Sequence, residues 1–230
     1  MNLVELTFFG HSFFKADFNG TKVLFDPFIN NTCTEPAFKR IENCTAKKSD
    51  LNDIDVILIS HEHFDHFDKK AIESIVKSND VFVVGHDSLL NQLNVERRFL
   101  CPLSLNQKID LRNINIECVT AHHPDSFYPV GFVVSSKGKT VYFSGDTSLI
   151  DDFAAIKTDV ALLPIGGKYT MDCVDCVKAT KLMKPKYVIP MHYNTFEMIK
   201  CDVNEFKRKI EKSVLTTKAI LLKPGETFKF

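Results

Sequence analysis

The densest chemistry in the chain lies in SHEHFDHFD, residues 60–68. His61 and His63 alternate on one side of an extended segment and can share one cation. Asp65 and His66 follow where the chain turns towards the next helix, within reach of a second. Imidazole together with carboxylate suits zinc, manganese, iron or nickel. The competing reading is a solvated polar loop that happens to hold three histidines. With this composition an accidental H-x-H-x-D-H has a probability on the order of one in a thousand, so the spacing predicts a metal site.

The elements that must position it can be read around it. IDVILIS, residues 54–60, is a nearly continuous apolar run of the kind shown by a strand buried on both faces, so the histidines emerge at a strand's carboxyl end. LVELTFF, SFFKADF and TKVLFD are rich in Phe and β-branched residues, with Asn19-Gly20 as a tight turn. Residues 30–53 carry little periodicity and read as a loop over the fold. KKAIESIVKS and HDSLLNQLN have helical spacing, with VFVVG a short buried strand between them. From about Leu103 the pattern returns to strands, NINIECVT, VGFVVSS and KTVYFS, turning at Lys137-Gly138. The remainder alternates: a helix near LIDDFAAI, strand DVALLP, a helix from Cys173 to Met183, strand KYVIP, helix VNEFKRKIEKS and strand AILLK. Each half thus opens with antiparallel strands and closes in β-α-β alternation. Two sheets face to face with helices outside satisfy that pattern, and residues 1–230 read as one domain.

Composition narrows the function classes. Hydrophobic residues make up 44% and charged residues 25%, a globular balance. Lys+Arg and Asp+Glu are both 29, so a nucleic-acid footprint is not expected. The first residues lack a basic start and a long apolar run, and no segment approaches a transmembrane length; a cytoplasmic protein is expected, with no membrane partner. Seven cysteines, an odd number, argue for reduced thiols. Cys173 and Cys176 form a C-x-x-C, but without a second such pair or a nearby His pair they read as structural positions of an amphipathic helix.

H-x-H-x-D-H after a buried strand resembles the metallo-β-lactamase superfamily, which implies an α/β fold, a four-layer αβ/βα sandwich with two metals at one sheet edge. The resemblance implies further ligands in order. VTAHHPD supplies His122 and His123; His123 is favoured, because resembling sequences place a small residue, here Ala121, two positions before the ligand. YFSGDTS supplies Asp146 as a bridging carboxylate, and YVIPMHYNTF supplies His192. By analogy His61, His63 and His123 hold one divalent metal ion, and Asp65, His66 and His192 the other. Zn²⁺ is the first expectation, with Mn²⁺, Fe²⁺ and Ni²⁺ also suited.

FFGHSFF, LFDPF, LLPIGGKYTM and VIPMHYNTF resemble one branch of the superfamily, small metal-dependent hydrolases similar to the L-ascorbate-6-phosphate lactonases. That implies a metal-activated water cleaving an ester, lactone or phosphodiester in a small-molecule substrate. Asp65 would orient the nucleophile or accept its proton. His11 is either a proton donor or substrate contact, or a packed histidine at a strand turn. Asp26 is expected to orient a ligand histidine through its second nitrogen. The Gly166-Gly167-Lys168 loop is a candidate contact for an anionic substrate, and His86 matches no position. A di-iron oxidoreductase resembling the flavodiiron proteins is the rival, but those have a carboxylate where this chain has His63. Nucleases of the same superfamily carry insertions absent here. A homo-oligomer is compatible with all of this.

Overall fold

Period-two burial builds the first sheet. In β1 (Val4–Gly10), β2 (Phe13–Phe18) and β3 (Thr21–Phe25) inward residues are buried and several outward ones are not. Asn19 and Gly20, both at positive φ, close the hairpin between β2 and β3. The computed structural model describes residues 3–230. Beside β3 lie β4 (Val56–Leu58), β5 (Phe82–Gly85) and β6 (Leu100–Pro102), all parallel to it.

The second sheet repeats the plan. β7 (Lys108–Leu111), β8 (Ile114–Thr120), β9 (Val130–Ser136) and β10 (Lys139–Phe143) pair antiparallel. β11 (Val160–Pro164), β12 (Tyr187–Met191) and β13 (Lys218–Ala219) then add parallel strands. The last strand, β14 (Thr227–Lys229), returns to pair antiparallel with β1, so the strand orders are β14-β1-β2-β3-β4-β5-β6 and β13-β12-β11-β10-β9-β8-β7. Each sheet passes through three antiparallel and then three parallel pairings.

The inner faces interleave in one apolar layer containing Phe8, Phe14, Phe25, Phe132, Phe143 and Leu162. Phe25 and Phe143 meet across it with ring centroids 5.0 Å apart. Outside the first sheet pack α1 (Lys69–Ser78) and α2 (Asp87–Leu90), and outside the second α3 (Cys173–Met183) and α4 (Val203–Ser213). The result is the four-layer αβ/βα sandwich. Among the described residues no helix is long and apolar enough to cross a membrane.

Four local expectations change. The helix expected over residues 86–94 is a single turn, Asp87–Leu90, capped by His86, and the polar Asn91, Gln92 and Asn94 do not prolong it. The helix near residues 149–156 is a 3-10 turn, Asp151–Ala155. The strand expected over residues 219–223 pairs only at Lys218–Ala219. β6 and β14 were not expected; each is three residues long, too short for a period to register.

The loop from 30 to 53 is irregular apart from two 3-10 turns, Pro36–Phe38 and Lys48–Leu51. It is anchored at its start. Asp68, the N-cap of α1, accepts from Ile29 N at 3.1 Å and Asn30 N at 2.6 Å as well as from Ala71 N. Arg40 stacks 3.7 Å from the Phe28 ring centre and donates to the Phe28 and Ile29 carbonyls.

Candidate metal centre

Side chains from six segments meet where the two sheets' loops converge. The segment after β4 leaves the sheet extended and closes in a turn, with the His63 carbonyl accepting from His66 N and Phe67 N. That turn carries Asp65 and His66 past His61 and His63. His123 arrives after β8, Asp146 after β10 and His192 after β12. All seven expected ligands are brought together, and six of them are buried; His63 is half-buried.

The donor atoms form two groups. His61, His63 and His123 present ligand atoms all within 4.8 Å of one another, as do Asp65, His66 and His192 together with His11. His63 Nδ1 lies 3.1 Å from His123 Nε2, near the roughly 3.3 Å that tetrahedral coordination at about 2.0–2.1 Å imposes on two nitrogens. Asp146 spans the second group: Oδ2 is 3.0 Å from His192 Nε2 and Oδ1 is 3.3 Å from His66 Nε2. His61 Nε2, His66 Nε2 and Asp146 Oδ1 are buried and make no well-aligned hydrogen bond, although the last two face each other as an ion pair. Buried polar atoms without a well-aligned hydrogen bond are costly, and their presence within these donor groups fits a cation.

Outer contacts decide which nitrogen of each ring is free. Asp26 accepts from Ser60 N at 2.8 Å, Ser60 Oγ at 2.5 Å and His66 Nδ1 at 2.6 Å. Because Ser60 Oγ donates to Asp26, it accepts from His61 Nδ1 at 2.9 Å. One carboxylate therefore turns both His61 and His66 so that Nε2 faces inward. Three donors occupy Asp26, so it is not itself an open ligand. His63 Nε2 donates to the Asp125 carbonyl at 3.2 Å, which leaves Nδ1 free.

Electrostatics sort the same groups. Burial pushes the His61 and His123 pKa values down, keeping their lone pairs available. Burial also opposes charge on His66 and His192, but Asp146 and Asp65 outweigh it; His66 rises well above the ordinary histidine value and His192 to about 9. Burial likewise works against ionised Asp65 and Asp146, yet the histidines around them hold both well below the usual carboxylate range.

Backbone strain marks these positions. His11, Asp26 and His192 have φ of 59°, 41° and 53°, a left-handed conformation that costs side chains about 1–3 kcal/mol. Gly145, at φ 59°, could not be replaced cheaply: a Cβ would stand 2.7 Å from Ser60 Cβ and 2.8 Å from Val130 O. Gly166 lies against the carbonyl of His192, where any Cβ would collide.

Several sequence expectations are now placed. His11 is fully buried and is not among the residues that line the cavity, which matches the packed histidine at a strand turn that the sequence offered as one of its two readings. Burial, then His192, lowers its pKa to about 3, and the neutral ring donates from Nε2 to Asp65 Oδ2 at 3.0 Å. His122 is exposed, whereas His123 is 3% exposed and faces the cluster. His86 stacks on Tyr128 at 3.8 Å and caps α2. Cys176 is buried in the core, while Cys173 meets the thiol of Cys201. None of the cation-holding groups among the described residues includes a cysteine. Lys168 is exposed, its Nζ 5.5 Å from the Tyr169 ring centre. Ser60 was missed: a serine before a histidine carries no spacing signal.

A family model described as the Beta-lactamase superfamily domain matches residues 5–192. The chain is 36% identical to a UPF0173 metal-dependent hydrolase of Carboxydothermus hydrogenoformans, over 97% of this chain and 98% of the relative. It is 35% identical to another from Staphylothermus marinus, over 98% of each. The structure of Igni18, described as a novel metallo hydrolase from Ignicoccus hospitalis, superposes with a TM-score of 0.83 at 33% identity, covering 99% of this chain and 98% of that one.

Proposed function

The chain belongs to the UPF0173 metal-dependent hydrolases of the β-lactamase superfamily, and from that membership we propose a dinuclear centre that hydrolyses an ester, lactone or phosphodiester bond in a small molecule. His61, His63 and His123 would hold one divalent cation and Asp65, His66 and His192 the other, with Asp146 as a shared carboxylate ligand. Zn²⁺ is the expected ion. The observation that carries the reading is the gathering of buried histidine and carboxylate donor atoms into two groups, with His61 Nε2, His66 Nε2 and Asp146 Oδ1 lacking a well-aligned hydrogen bond. Cations bound there lower the pKa of a coordinated water and polarise the scissile oxygen.

The chain's own residues do the rest. Asp26 and Ser60 hold the His61 and His66 rings at fixed tautomers. Asp65 reaches the cavity as an ionised acceptor that orients the nucleophile. His11 positions Asp65 from behind; being neutral, it adds a hydrogen bond without adding charge. His192 N donates to the His11 carbonyl at 2.8 Å, which joins the two strained turns.

Metal analysis of purified protein should find about two divalent ions per chain. Chelation should abolish hydrolysis of an ester and lactone panel, and Zn²⁺ or Mn²⁺ should restore it. His61→Ala and His66→Ala should each lower metal content by about one ion. Full activity in verified metal-free protein would refute the reading.

A further inference from the structure

Over the cluster lies a cavity of about 280 Å³, roughly nine water-sized volumes. Its floor is His63, Asp65, His123, Asp146 and His192. One wall is aromatic. Phe38, Phe64 and Tyr169 come from three distant segments, with Phe38 centred 5.2 Å from Phe64 and 6.4 Å from Tyr169. Phe28 and Phe196 back this wall, at 5.9 Å from Phe64 and 5.7 Å from Phe38. The wall is therefore packed from behind.

The rim carries two exposed carboxylates, Glu35 and Asp125. Among the described residues no Lys or Arg lines the cavity. A bound phosphate or carboxylate is held by an Arg fork, a Lys ammonium, a helix N-terminus or free backbone N–H groups. Arg40 does not line the cavity; it stacks on the Phe28 ring, and its two terminal nitrogens donate to two carbonyls. In the Gly-Gly-Lys loop, Gly167 N donates to the Met171 carbonyl and Lys168 N to the Gly166 carbonyl.

We propose that this site selects small uncharged substrates with an aromatic or compact apolar group beside the scissile bond, and discriminates against phosphorylated or carboxylated ones. The inference rests on the hydrolase reading above and narrows it, setting phosphodiesters and phosphorylated lactones aside. The floor engages the scissile group; the remainder of the substrate meets Phe38, Phe64 and Tyr169. A distal anion would lie between that apolar wall and the two rim carboxylates, while Lys168 Nζ, 5.5 Å from the Tyr169 ring centre, stays outside the lining.

Unreactive hydroxamates share one metal-binding head and isolate the distal group. Calorimetry on the full chain, loaded with Zn²⁺ and of verified metal content, should show benzohydroxamate binding at least about tenfold more tightly than acetohydroxamate. It should also bind at least about tenfold more tightly than 3-carboxybenzohydroxamate. Phe38→Ala should remove most of the first difference while acetohydroxamate binding persists, which also reports an intact centre. Glu35→Gln combined with Asp125→Asn should narrow the second. In turnover, phenyl acetate should exceed 3-acetoxybenzoate in kcat/KM by a similar factor. Equal or tighter binding of the carboxylated compound overturns the selectivity alone. Absence of binding by all three hydroxamates overturns the metal-centre reading and this inference with it.

Discussion

Asp26 reaches both halves of the cluster, His66 directly and His61 through Ser60, while Ser60 and His66 occupy its oxygens. Asp26→Asn keeps the volume but replaces one acceptor oxygen with a donor, so one of the imidazoles loses its fixed tautomer. Metal affinity should fall about 10–100-fold, read by competition with a chromogenic chelator; unchanged affinity would remove the positioning role. At this scale the ligand types were legible in H-x-H-x-D-H. The choice between His122 and His123 rested on a resemblance to other sequences, and burial now separates the two. His11 and Asp26 were named from the chain, but their partners lie 54 and 40 residues away, beyond any local pattern.

Strand ends, more than strand interiors, carry the site. His11, Asp26, Gly145 and His192, all at positive φ, stand just past β1, β3, β10 and β12, where the chain must turn sharply to deliver a side chain. Gly166, after β11, is the seat of the His192 turn. Gly166→Ala should displace His192 and lower metal content by about one ion. Stability should fall by about 1–3 kcal/mol while far-ultraviolet circular dichroism is retained. Full metal content with unchanged Tm would count against that seating. Long, strongly periodic elements such as α1, α4, β8 and β9 could be read from sequence because burial of one face imposes a local period. β6 and β14 could not, since their existence depends on a neighbouring edge: β14 is fixed by β1 and by the Tyr187–Phe228 contact at 4.9 Å.

The whole molecule brings oppositely shifted histidines into one cluster, and its stability should show it. In metal-free protein the depressed group, His11 at about 3 together with His61 and His123, contributes stability above the unfolded histidine pKa of about 6.5 and loses it as pH falls. Asp65 and Asp146, also depressed, lose theirs further into acid. The raised pair, His66 and His192, contributes fully below about 6.5 and loses it as pH rises, for His192 through about 9. Tm of chelator-treated protein should therefore peak near pH ~6.5. A steady rise in Tm from mildly acidic to alkaline pH would contradict this. Metal affinity should increase across the same alkaline window, because a cation displaces the protons of His66 and His192.

By itself the amino-acid sequence supplied the H-x-H-x-D-H motif and the layered α/β plan, while the further candidate ligands His123, Asp146 and His192 came from resemblance to the superfamily. The motif and the plan are properties of residue type and short-range period, and short segments suffice to express them. Only the tertiary structure decided that His11 stands behind Asp65, that Cys173 meets Cys201 instead of forming a site with Cys176, and that Phe38, Phe64 and Tyr169 share one wall. The physical reason is that packing between two sheets and their loops joins residues far apart in the chain. Such contacts leave no trace in the spacing of either partner.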